Sequence, residues 1–546
     1  MASLVDVPIT FGLVARTIGI LVLFAVLKFF HRLYQVRSLV RKAAKEDGVK
    51  FLPHSFLLGH LPVVARLMAK YPLDTSGQYV PLLLAKEYPE ICNCGLVYVD
   101  TWPFAPPMLA VFHPDMMSQF TQETSLPKHD MMRKEFMPFT QCKDLVNLEG
   151  QEWKAWRSIF NPGFSAKNLL SFVPAILEEV HVFRAWLKSV AKSGEVVKLE
   201  EQAMKVTIDV IGRAVLDTRL HCQTRTNRFY NVMKNQISWL LVDNSPSTLR
   251  KAMNPSRPLM TWNNNRIIKN FLQPHIERSI ARHGTPIKGP QTITDLAIKS
   301  YVTEVQPVSQ SSNANARFIN QTIENLKIFI FAGHDTTAST LSFAFHLLHT
   351  NPATLATLRA EHDAVFGTNP STASATITAS PQLLNQLPYT SAVIKETLRL
   401  FPPVGTVRRG SASFYLTHPE TGTRYATDGL MLYGCSMAEH RLNAFWPRAA
   451  EFVPERWLAR EGDPLHVRKN AFRPFELGPR NCIGQELAQL ELRVILAMTI
   501  REVDVRSVYP ADGTMVLGEL AYQCMLPGAL TGHPKGMMPV TVQLRE

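Results

Sequence analysis

The apolar residues of this chain follow two spacings along its length. Over four long segments they recur every three or four positions, which is the period of one face of an α-helix. These segments are residues 169–192, 319–349, 382–400 and 485–501. Short runs of alternating apolar and polar residues, which predict strands, come mostly late in the chain. They are residues 406–416, 423–431 and 538–544. The pattern predicts a mainly α protein with small β-sheets.

The N-terminal segment differs, because residues 11–30 form an apolar run of 20 residues. That length is about what a helix needs to cross the hydrocarbon layer of a membrane. Arg16 and Lys28 are its only charges, and both lie near enough to an end to reach the interface. Five basic residues follow the run, at positions 32, 37, 41, 42 and 45. They predict that the remainder of the chain lies in the cytosol.

Residues 28–32, KFFHR, offer no small-residue cleavage site, so a membrane anchor over residues 1–45 is favoured over a cleaved signal peptide. A buried or interfacial helix stays open as an alternative because Arg16 weakens the span. No composition boundary divides residues 46–546. The sequence therefore predicts a single large domain after an N-terminal transmembrane helix.

Composition narrows the class of protein. Of the 546 residues, 46% are hydrophobic, which excludes a disordered, collagenous or coiled-coil chain. The formal net charge of +13 favours an anionic membrane or an acidic protein partner. We expect no nucleic-acid partner, because the basic residues are dispersed and no base-stacking motif occurs. The seven cysteines are scattered and odd in number, which indicates a reducing compartment and no disulfide framework.

The segment FELGPRNCIG around Cys482 carries the strongest chemical signal. Gly478 permits a close approach of the backbone, and the amides after it are placed to donate hydrogen bonds to a sulfur ligand. Gly484 begins a predicted helix whose dipole is expected to lower the pKa of the Cys482 thiol. Phe475 would cover the site, and Arg480 would bind an acidic group of the ligand. The alternative is a buried structural cysteine.

A second segment, AGHDTT, lies inside the predicted helix over residues 319–349. Gly333 costs up to about 1 kcal/mol relative to alanine in a helix interior, so we expect a flat ligand to lie against the backbone there. Thr336 is placed to donate a hydrogen bond to a carbonyl one turn back, which would bend the helix. Asp335 is a candidate proton relay. A threonine-rich kink of purely structural value is the alternative.

The segment around Cys482 matches Phe-x-x-Gly-x-Arg-x-Cys-x-Gly and resembles the haem-ligand loop of the cytochromes P450. Glu476 departs from that family, which usually has Gly or Ser at this position. AGHDTT is similar to the family's helix on the oxygen side of the haem. Glu396 and Arg399, with PERW at residues 454–457, resemble the family's Glu-x-x-Arg helix and its Pro-Glu-Arg-Phe-like turn. These would form a buried structural group of ion pairs.

The resemblance implies haem b as the cofactor, with the Cys482 thiolate as the axial ligand of its iron. Phe475 and Gly333 would then lie against the haem. The residues that match Thr336 and Asp335 would supply protons during oxygen activation, and these two are the expected catalytic residues.

The resemblance also implies which side chains bind the haem propionates. Trp153 and Arg157 are similar to the family's Trp-x-x-x-Arg helix, and at this spacing both face the same way. Arg408 is a further expected propionate donor, with the adjacent Arg409 as the competing choice. Arg480 would bind an acidic group of the same cofactor.

The expected protein is thus a haem-thiolate monooxygenase with the cytochrome P450 fold. One atom of dioxygen would enter an apolar small molecule, with electrons from NADPH–cytochrome P450 reductase. The anchor is similar to that of microsomal members, which implies a single pass through the endoplasmic reticulum membrane with a cytosolic catalytic domain. FELGPRNCIGQELAQ and AGHDTT look most like fungal enzymes of secondary metabolism, of the mycotoxin-pathway kind.

Two alternatives stay open at this point. One is a haem-thiolate isomerase or dehydratase that needs no reductase, although such an enzyme has no need of proton delivery by Asp335 and Thr336. The other is a haem-binding protein without catalysis, in which Cys482 only holds the cofactor.

Overall fold

The fold is that of a computed structural model, which describes residues 11–46, 48–241, 246–282, 284, 289–304, 312–525 and 530–545. Helices dominate these residues, and the strands are few and short. The predicted mainly α class with small sheets is confirmed.

The α-helices of the described residues are α1 (Phe11–Glu46), α2 (Leu61–Met68), α3 (Val80–Glu87), α4 (Pro114–Ser118), α5 (Asp130–Thr140), α6 (Gly150–Phe160), α7 (Ala166–Ser171), α8 (Val173–Ser193), α9 (Leu199–Leu216), α10 (Arg228–Ser238), α11 (Pro246–Met253), α12 (Arg257–Ala281), α13 (Ile293–Glu304), α14 (Ser312–Thr350), α15 (Pro352–Phe366), α16 (Ala373–Ala379), α17 (Pro388–Leu400), α18 (Ser436–Glu439) and α19 (Gln485–Thr499). Short 3₁₀ helices cover Gly77–Tyr79, Pro89–Cys94, Asn161–Phe164, Pro370–Thr372, Pro381–Gln386, Pro454–Trp457 and Lys535–Met537, and a π-helical turn covers Gln119–Glu123.

The strands are β1 (Leu96–Val99), β2 (Met108–Val111), β3 (Val197–Lys198), β4 (Thr406–Arg409), β5 (Tyr415–Thr417), β6 (Arg424–Ala426), β7 (Met431–Gly434), β8 (Val503–Ser507), β9 (Gln523–Cys524), β10 (His533–Pro534) and β11 (Pro539–Leu544). They form a four-stranded sheet in the order β1-β2-β7-β4 and a three-stranded sheet in the order β3-β11-β8. The hairpins β5-β6 and β9-β10 are two-stranded and antiparallel.

Proline and glycine set several boundaries that the apolar pattern alone placed wrongly. The predicted helix over residues 169–192 is divided into α7 and α8, with Pro174 in the first turn of α8. The one predicted over residues 382–400 begins only at Pro388, because proline fits the first turn, where its missing N–H is not needed. The strand predicted over residues 406–416 is likewise divided, into β4 and β5. Gly410 follows β4 and packs so closely on Thr427 that a Cβ there would lie 1.9 Å from the carbonyl oxygen of Thr427.

The core is built around α14, which packs against α9, α12, α17 and α19. Apolar residues of these helices belong to the largest buried cluster. Phe343 of α14 stacks on Phe401 just after α17, with the ring centroids 3.9 Å apart. Residues of α14 and of the loop before α19 border one common cavity, in which the candidate site lies.

The two halves of α1 lie in different surroundings. Its side chains from residue 14 to residue 32 are exposed, whereas Val40 and other apolar residues of the second half are buried. Arg37 is fully buried, pairs with Asp100 and donates to three backbone carbonyls. Among the described residues, Val14–Glu46 is the one helix long and apolar enough to cross a membrane. The predicted anchor is therefore the first part of a longer helix that continues into the folded body.

Candidate active site

The cavity measures about 260 Å³ and is bordered by several parts of the chain, three of which carry residues of the predicted motifs or lie beside them. One face of α14 supplies Phe329, Ala332, Gly333, Thr336, Thr337 and Thr340. The loop before α19 supplies Cys482, and the segment that leads into β4 supplies Pro403 and Thr406. Most of this lining is apolar, so the cavity suits a large flat ligand with a few polar groups at its edge.

The Cys482 loop is held by tight backbone contacts. The amide of Cys482 donates to the carbonyl oxygen of Phe475 at 2.8 Å. Gly478 has a φ of +89°, and a Cβ there would lie 2.4 Å from the carbonyl oxygen of Thr121. Glycine at position 478 therefore lets the backbone of this loop pack against Thr121, while the predicted approach to a ligand stays a prediction. This packing brings Cys482 and Phe475 to the cavity wall.

Glu476, the residue that departs from the family pattern, has a left-handed backbone with a φ of +56°. Such a conformation is costly for a residue with a side chain. Its carboxylate pairs with Arg473, which lines the cavity, and accepts the amide of Leu477 at 3.0 Å. These bonds offset the cost and fix the backbone before Cys482.

Burial raises the pKa of the Cys482 thiol, and this effect outweighs three groups that lower it. Those groups are the backbone amides of Gly484 and Gln485 at the start of α19 and the guanidinium of Arg157. The helix start thus lowers the pKa of the Cys482 thiol as predicted, but burial raises it more. A metal ion would be needed to favour the thiolate.

Arg157 and Trp153 lie beside the cavity rather than on its wall. The Arg157 guanidinium donates to the backbone carbonyl and to the side-chain oxygen of Asn481, both at 2.9 Å. Trp153 lies beneath the guanidinium of Arg480, whose central carbon is 5.0 Å from the ring centroid. Arg157 therefore positions the residue before Cys482, and α6 carries both side chains as its sequence spacing predicted.

Both terminal nitrogens of the Arg480 guanidinium are bonded to protein groups in this structure. Arg480 pairs with Glu149 and donates to the carbonyl oxygens of Leu145, Val146 and Leu148. Glu149 also accepts the backbone amide of Lys128 at 2.8 Å. An acidic group of a ligand would have to share Arg480 with Glu149, a carboxylate that the sequence analysis did not single out.

Arg408 is the opposite case. It is fully buried, and none of its three guanidinium nitrogens has a partner among the described residues. Burial lowers its pKa to about 10. Lys128, which pairs with it through the backbone and lines the cavity, also has its pKa lowered by burial. No sequence motif pointed to Lys128, because a single lysine in a loop carries no spacing signal.

These observations test whether haem fits the site. A buried guanidinium without a partner is costly unless an anion binds to it. Lys128 on the cavity wall and Arg408, whose backbone pairs with it, therefore suit a propionate carboxylate, and Cys482, which lines the same cavity as Lys128, supplies a sulfur ligand. The exposed Arg409 pairs with Asp130 and is not the propionate donor that this geometry favours. The residues present fit an iron protoporphyrin.

On α14, the predicted bond from the Thr336 hydroxyl to the carbonyl of Ala332 is confirmed at 2.9 Å. Thr336 and Gly333 line the cavity. A Cβ on Gly333 would lie 3.2 Å from Cδ1 of Ile211, so glycine here also allows α9 to pack closely. Asp335 is buried behind this wall, where its carboxylate accepts a hydrogen bond from Thr531.

The Glu396 group is assembled as its motifs predicted. Glu396 accepts two bonds from Arg399, at 2.8 and 3.0 Å, and one from Arg456 at 3.0 Å. The indole of Trp457 donates to it at 3.0 Å, and the side chains of the three ionised residues are fully buried. This group is structural and lies outside the cavity lining.

Comparisons with known proteins place these features in context. The sequence model described as "Cytochrome P450" matches residues 97–515. The chain is 36% identical to the cytochrome P450 monooxygenase polC of Polytolypa hystricis, over 96% of this chain and 95% of that one. It is 32% identical to the cytochrome P450 monooxygenase acrF of Aspergillus aculeatus, over 88% of this chain and 100% of that one.

The fold is similar to the crystal structure of a cytochrome P450 (CYP102L1) with a TM-score of 0.68. That likeness covers 87% of this chain and 100% of the other, at 19% identity. It supports the arrangement of helices around the cavity described above.

Proposed function

Because this chain belongs to the cytochrome P450 family and is a monooxygenase, we propose that it binds haem b in this cavity and oxidises an apolar small molecule. One observation carries the proposal: the free sulfur of Cys482 lines the same cavity as Lys128, whose backbone pairs with that of Arg408, a buried arginine without a partner among the described residues. A porphyrin supplies both an iron ion at its centre for the sulfur and carboxylates at its edge for the guanidinium.

When bound, haem supplies the redox-active iron at which dioxygen is activated. The reaction takes one C–H bond of the substrate, dioxygen, two electrons and two protons, and gives one hydroxylated product and one water. Cys482 would hold the iron, and Arg408 with Lys128 would hold the propionates. Thr336 presents a hydroxyl at the cavity wall, where it orients protons, and the apolar lining excludes bulk water from the reacting groups.

The partners and location follow from the same proposal. NADPH–cytochrome P450 reductase would supply the electrons, and the net charge of +13 suits docking to an acidic protein surface. Residues 1–45 would anchor the chain in the endoplasmic reticulum membrane, with residues 46–546 as a cytosolic catalytic domain. Similarity to monooxygenases of Polytolypa and Aspergillus supports a role in fungal secondary metabolism. The isomerase and carrier alternatives are not favoured, because the closely similar curated proteins are named monooxygenases.

The test is the carbon monoxide difference spectrum of reduced microsomes that contain the protein. We expect a strongly red-shifted Soret band, because a thiolate ligand shifts it, and we expect Cys482→Ala to abolish that band. Cys222→Ala is the matched control, since this buried free cysteine lies outside the cavity lining and should leave the band unchanged.

Survival of the band in Cys482→Ala would remove the ligand assignment. Oxidation of NADPH only in the presence of reductase would support the electron source. Turnover of a substrate without reductase would favour an isomerase instead.

A further inference from the structure

The carboxyl group of Asp335 belongs to a buried cluster outside the cavity lining. Its Oδ2 accepts a hydrogen bond from the hydroxyl of Thr531. Nε2 of His533, on β10, lies 3.0 Å from that hydroxyl oxygen and 3.6 Å from Asp335 Oδ2. Nδ1 of His533 lies 2.8 Å from Oε1 of Glu200 on α9. The four side chains form a continuous line from Glu200 to Asp335.

The donors and acceptors of this line can be assigned. Thr531 gives its single proton to the Asp335 carboxylate, so its oxygen accepts the proton on Nε2 of His533. The Glu200 carboxylate accepts the proton on Nδ1. With both ring nitrogens donating, His533 is an imidazolium between two carboxylates. All four residues are at most 8% exposed, so this charge is held away from water.

The charges around His533 agree with that assignment. Burial lowers its pKa, but the carboxylates of Asp335 and Glu200 raise it more, and its pKa is about 9. The other titratable groups that face the cluster are His334, Tyr230, Tyr509 and Cys524. Burial lowers the pKa of the histidine and raises those of the two tyrosines and the cysteine, so all four are neutral near neutral pH.

The segment that carries Thr531 and His533 is fixed to the site. The Ser339 hydroxyl on α14 donates to the carbonyl oxygen of Gly532 at 2.8 Å. The amide of Gly532 donates to the carbonyl oxygen of Pro403, a residue of the cavity wall, at 2.9 Å. These two hydrogen bonds therefore fix the position of Thr531 and His533 relative to α14 and to the cavity wall.

We propose that His533, acting through Thr531, is a positioning residue that stores a proton for Asp335 and holds its carboxylate in place. The proposal rests on the proposed monooxygenase function, which consumes two protons in each turnover. His533 lies nearly 200 residues after Asp335 in the sequence, on the hairpin β9-β10 rather than on α14.

The proton transfer balances without any change of oxidation state. The N–H bond at Nε2 breaks as its proton passes to the Thr531 oxygen, and the Thr531 O–H bond breaks as that proton passes to Asp335. His533 is left neutral, with its remaining proton on Nδ1 toward Glu200. One of the two protons that each turnover consumes then comes from the Asp335 O–H bond, which restores the carboxylate, and a hydronium ion from the solvent restores the imidazolium of His533.

The first test measures stability against pH and needs no activity. The pKa of His533 is about 9 in the folded protein and 6.5 as its ordinary value, so the folded state binds the proton more tightly. Its contribution to stability is complete below the ordinary pKa and is lost as pH rises through about 9. We expect the Tm of the wild-type holoenzyme to fall over this range more steeply than that of His533→Gln.

Glu200→Gln should also flatten the profile, because it removes one of the two charges that favour the imidazolium. This second variant keeps the test decisive if His533→Gln fails to fold. Wild-type and variant profiles that run parallel between these pH values would overturn the proposal.

The second test uses dioxygen alone as the probe, with reductase and NADPH but no organic substrate. We expect the fraction of NADPH electrons recovered as hydrogen peroxide, rather than water, to rise in Thr531→Val. The rate of water formation should fall about tenfold or more, since a positioned proton donor contributes about 10²–10⁴-fold. Thr531→Ser, which keeps the hydroxyl, should restore the wild-type ratio.

An unchanged ratio in Thr531→Val, or a wild-type enzyme that already releases every electron pair as peroxide near neutral pH, would overturn the proposal. The carbon monoxide difference spectrum distinguishes failure of the role proposed for His533 from failure of the proposed monooxygenase function. If the thiolate band is present while both tests fail, only the role of His533 is lost. If the band is absent, the proposed function fails, and the Tm profile of the purified protein without haem still reports the charge on His533.

Discussion

Two groups of buried arginines in this protein differ in how their charges are met. Arg399 and Arg456 both bond the carboxylate of Glu396, and their remaining nitrogens donate to backbone carbonyls. Arg408, equally buried and next to Lys128, has no partner among the described residues for any guanidinium nitrogen. The first group is complete within the chain, whereas the second has unmet hydrogen-bonding capacity.

Whether buried guanidinium nitrogens have protein partners distinguishes a structural site from a ligand site, and this criterion needs no sequence motif. Both groups lose the solvation of their charges on folding, and only the first recovers it from protein groups. A charge that the chain buries without compensation is explained when an anion from outside completes it. Replacing one charged residue should therefore destabilise the first group and, in protein without a bound ligand, stabilise the second.

The largest effect is expected from Glu396→Gln. Removal of the carboxylate leaves Arg399 and Arg456 buried without a counter-charge, which costs about 3–5 kcal/mol in the free energy of unfolding. Denaturant unfolding of the purified protein measures this loss. The exposed Glu461→Gln is the control and should change little. A loss below about 1 kcal/mol would mean that the group is not the closed ion-pair network described here.

A smaller loss is expected from Arg473→Met, which sharpens the comparison because Arg473 lines the cavity and is nevertheless fully bonded. It pairs with Glu476 and donates to Asn470, Thr121 and Pro114. Hydrogen bonds of a charged group contribute about 1.5–3 kcal/mol, and the unfolding free energy of haem-depleted protein should fall by about that amount.

The control for Arg473→Met is Arg468→Met. Arg468 is an exposed arginine whose pair with Asp115 should contribute about 0–1 kcal/mol. If Arg473→Met lowers the unfolding free energy no more than Arg468→Met does, the hydrogen bonds of Arg473 do not stabilise the protein, and the contrast between bonded and unbonded buried arginines does not hold.

The smallest effect on stability, and the opposite sign, is expected from Arg408→Met. Haem-depleted protein should become more stable by about 1–2 kcal/mol, because an unsatisfied buried group is removed. Haem affinity should fall about tenfold or more, as a charge-assisted bond to a propionate is lost. Haem titration and unfolding measure the two quantities. Arg409→Met, at the adjacent exposed position, should change neither, and equal behaviour of the two variants would break the comparison.

The parts of this site that the sequence predicted are those encoded by local spacing. Cys482, Phe475 and Gly478 lie within a few residues of one another, and their geometry follows from one loop. Thr336 donates to a carbonyl four residues back, which is also a local bond. Short-range geometry of this kind is fixed by residue type and by helix periodicity.

The contacts that the sequence did not reveal join distant segments. Arg480 bonds Glu149 across more than 300 residues, and Arg157 bonds Asn481 over a similar separation. Thr531 donates to Asp335 from the hairpin β9-β10, which has only four paired residues. Strands this short have no apolar pattern from which they could be predicted. Such partners depend on how the helices pack, so a motif can name a side chain without naming what it binds.

The continuous helix α1 has a mechanical consequence. An α-helix rises about 1.5 Å per residue, so α1 is a stiff rod of about 54 Å whose far end is clamped to the body by Arg37 and Asp100. A body held by such a rod has a set height and tilt above a bilayer, unlike a domain on a loose tether. If α1 crosses a membrane as we propose, residues 11–46 would restrict the direction from which a lipid-dissolved molecule or a second membrane protein approaches the cavity.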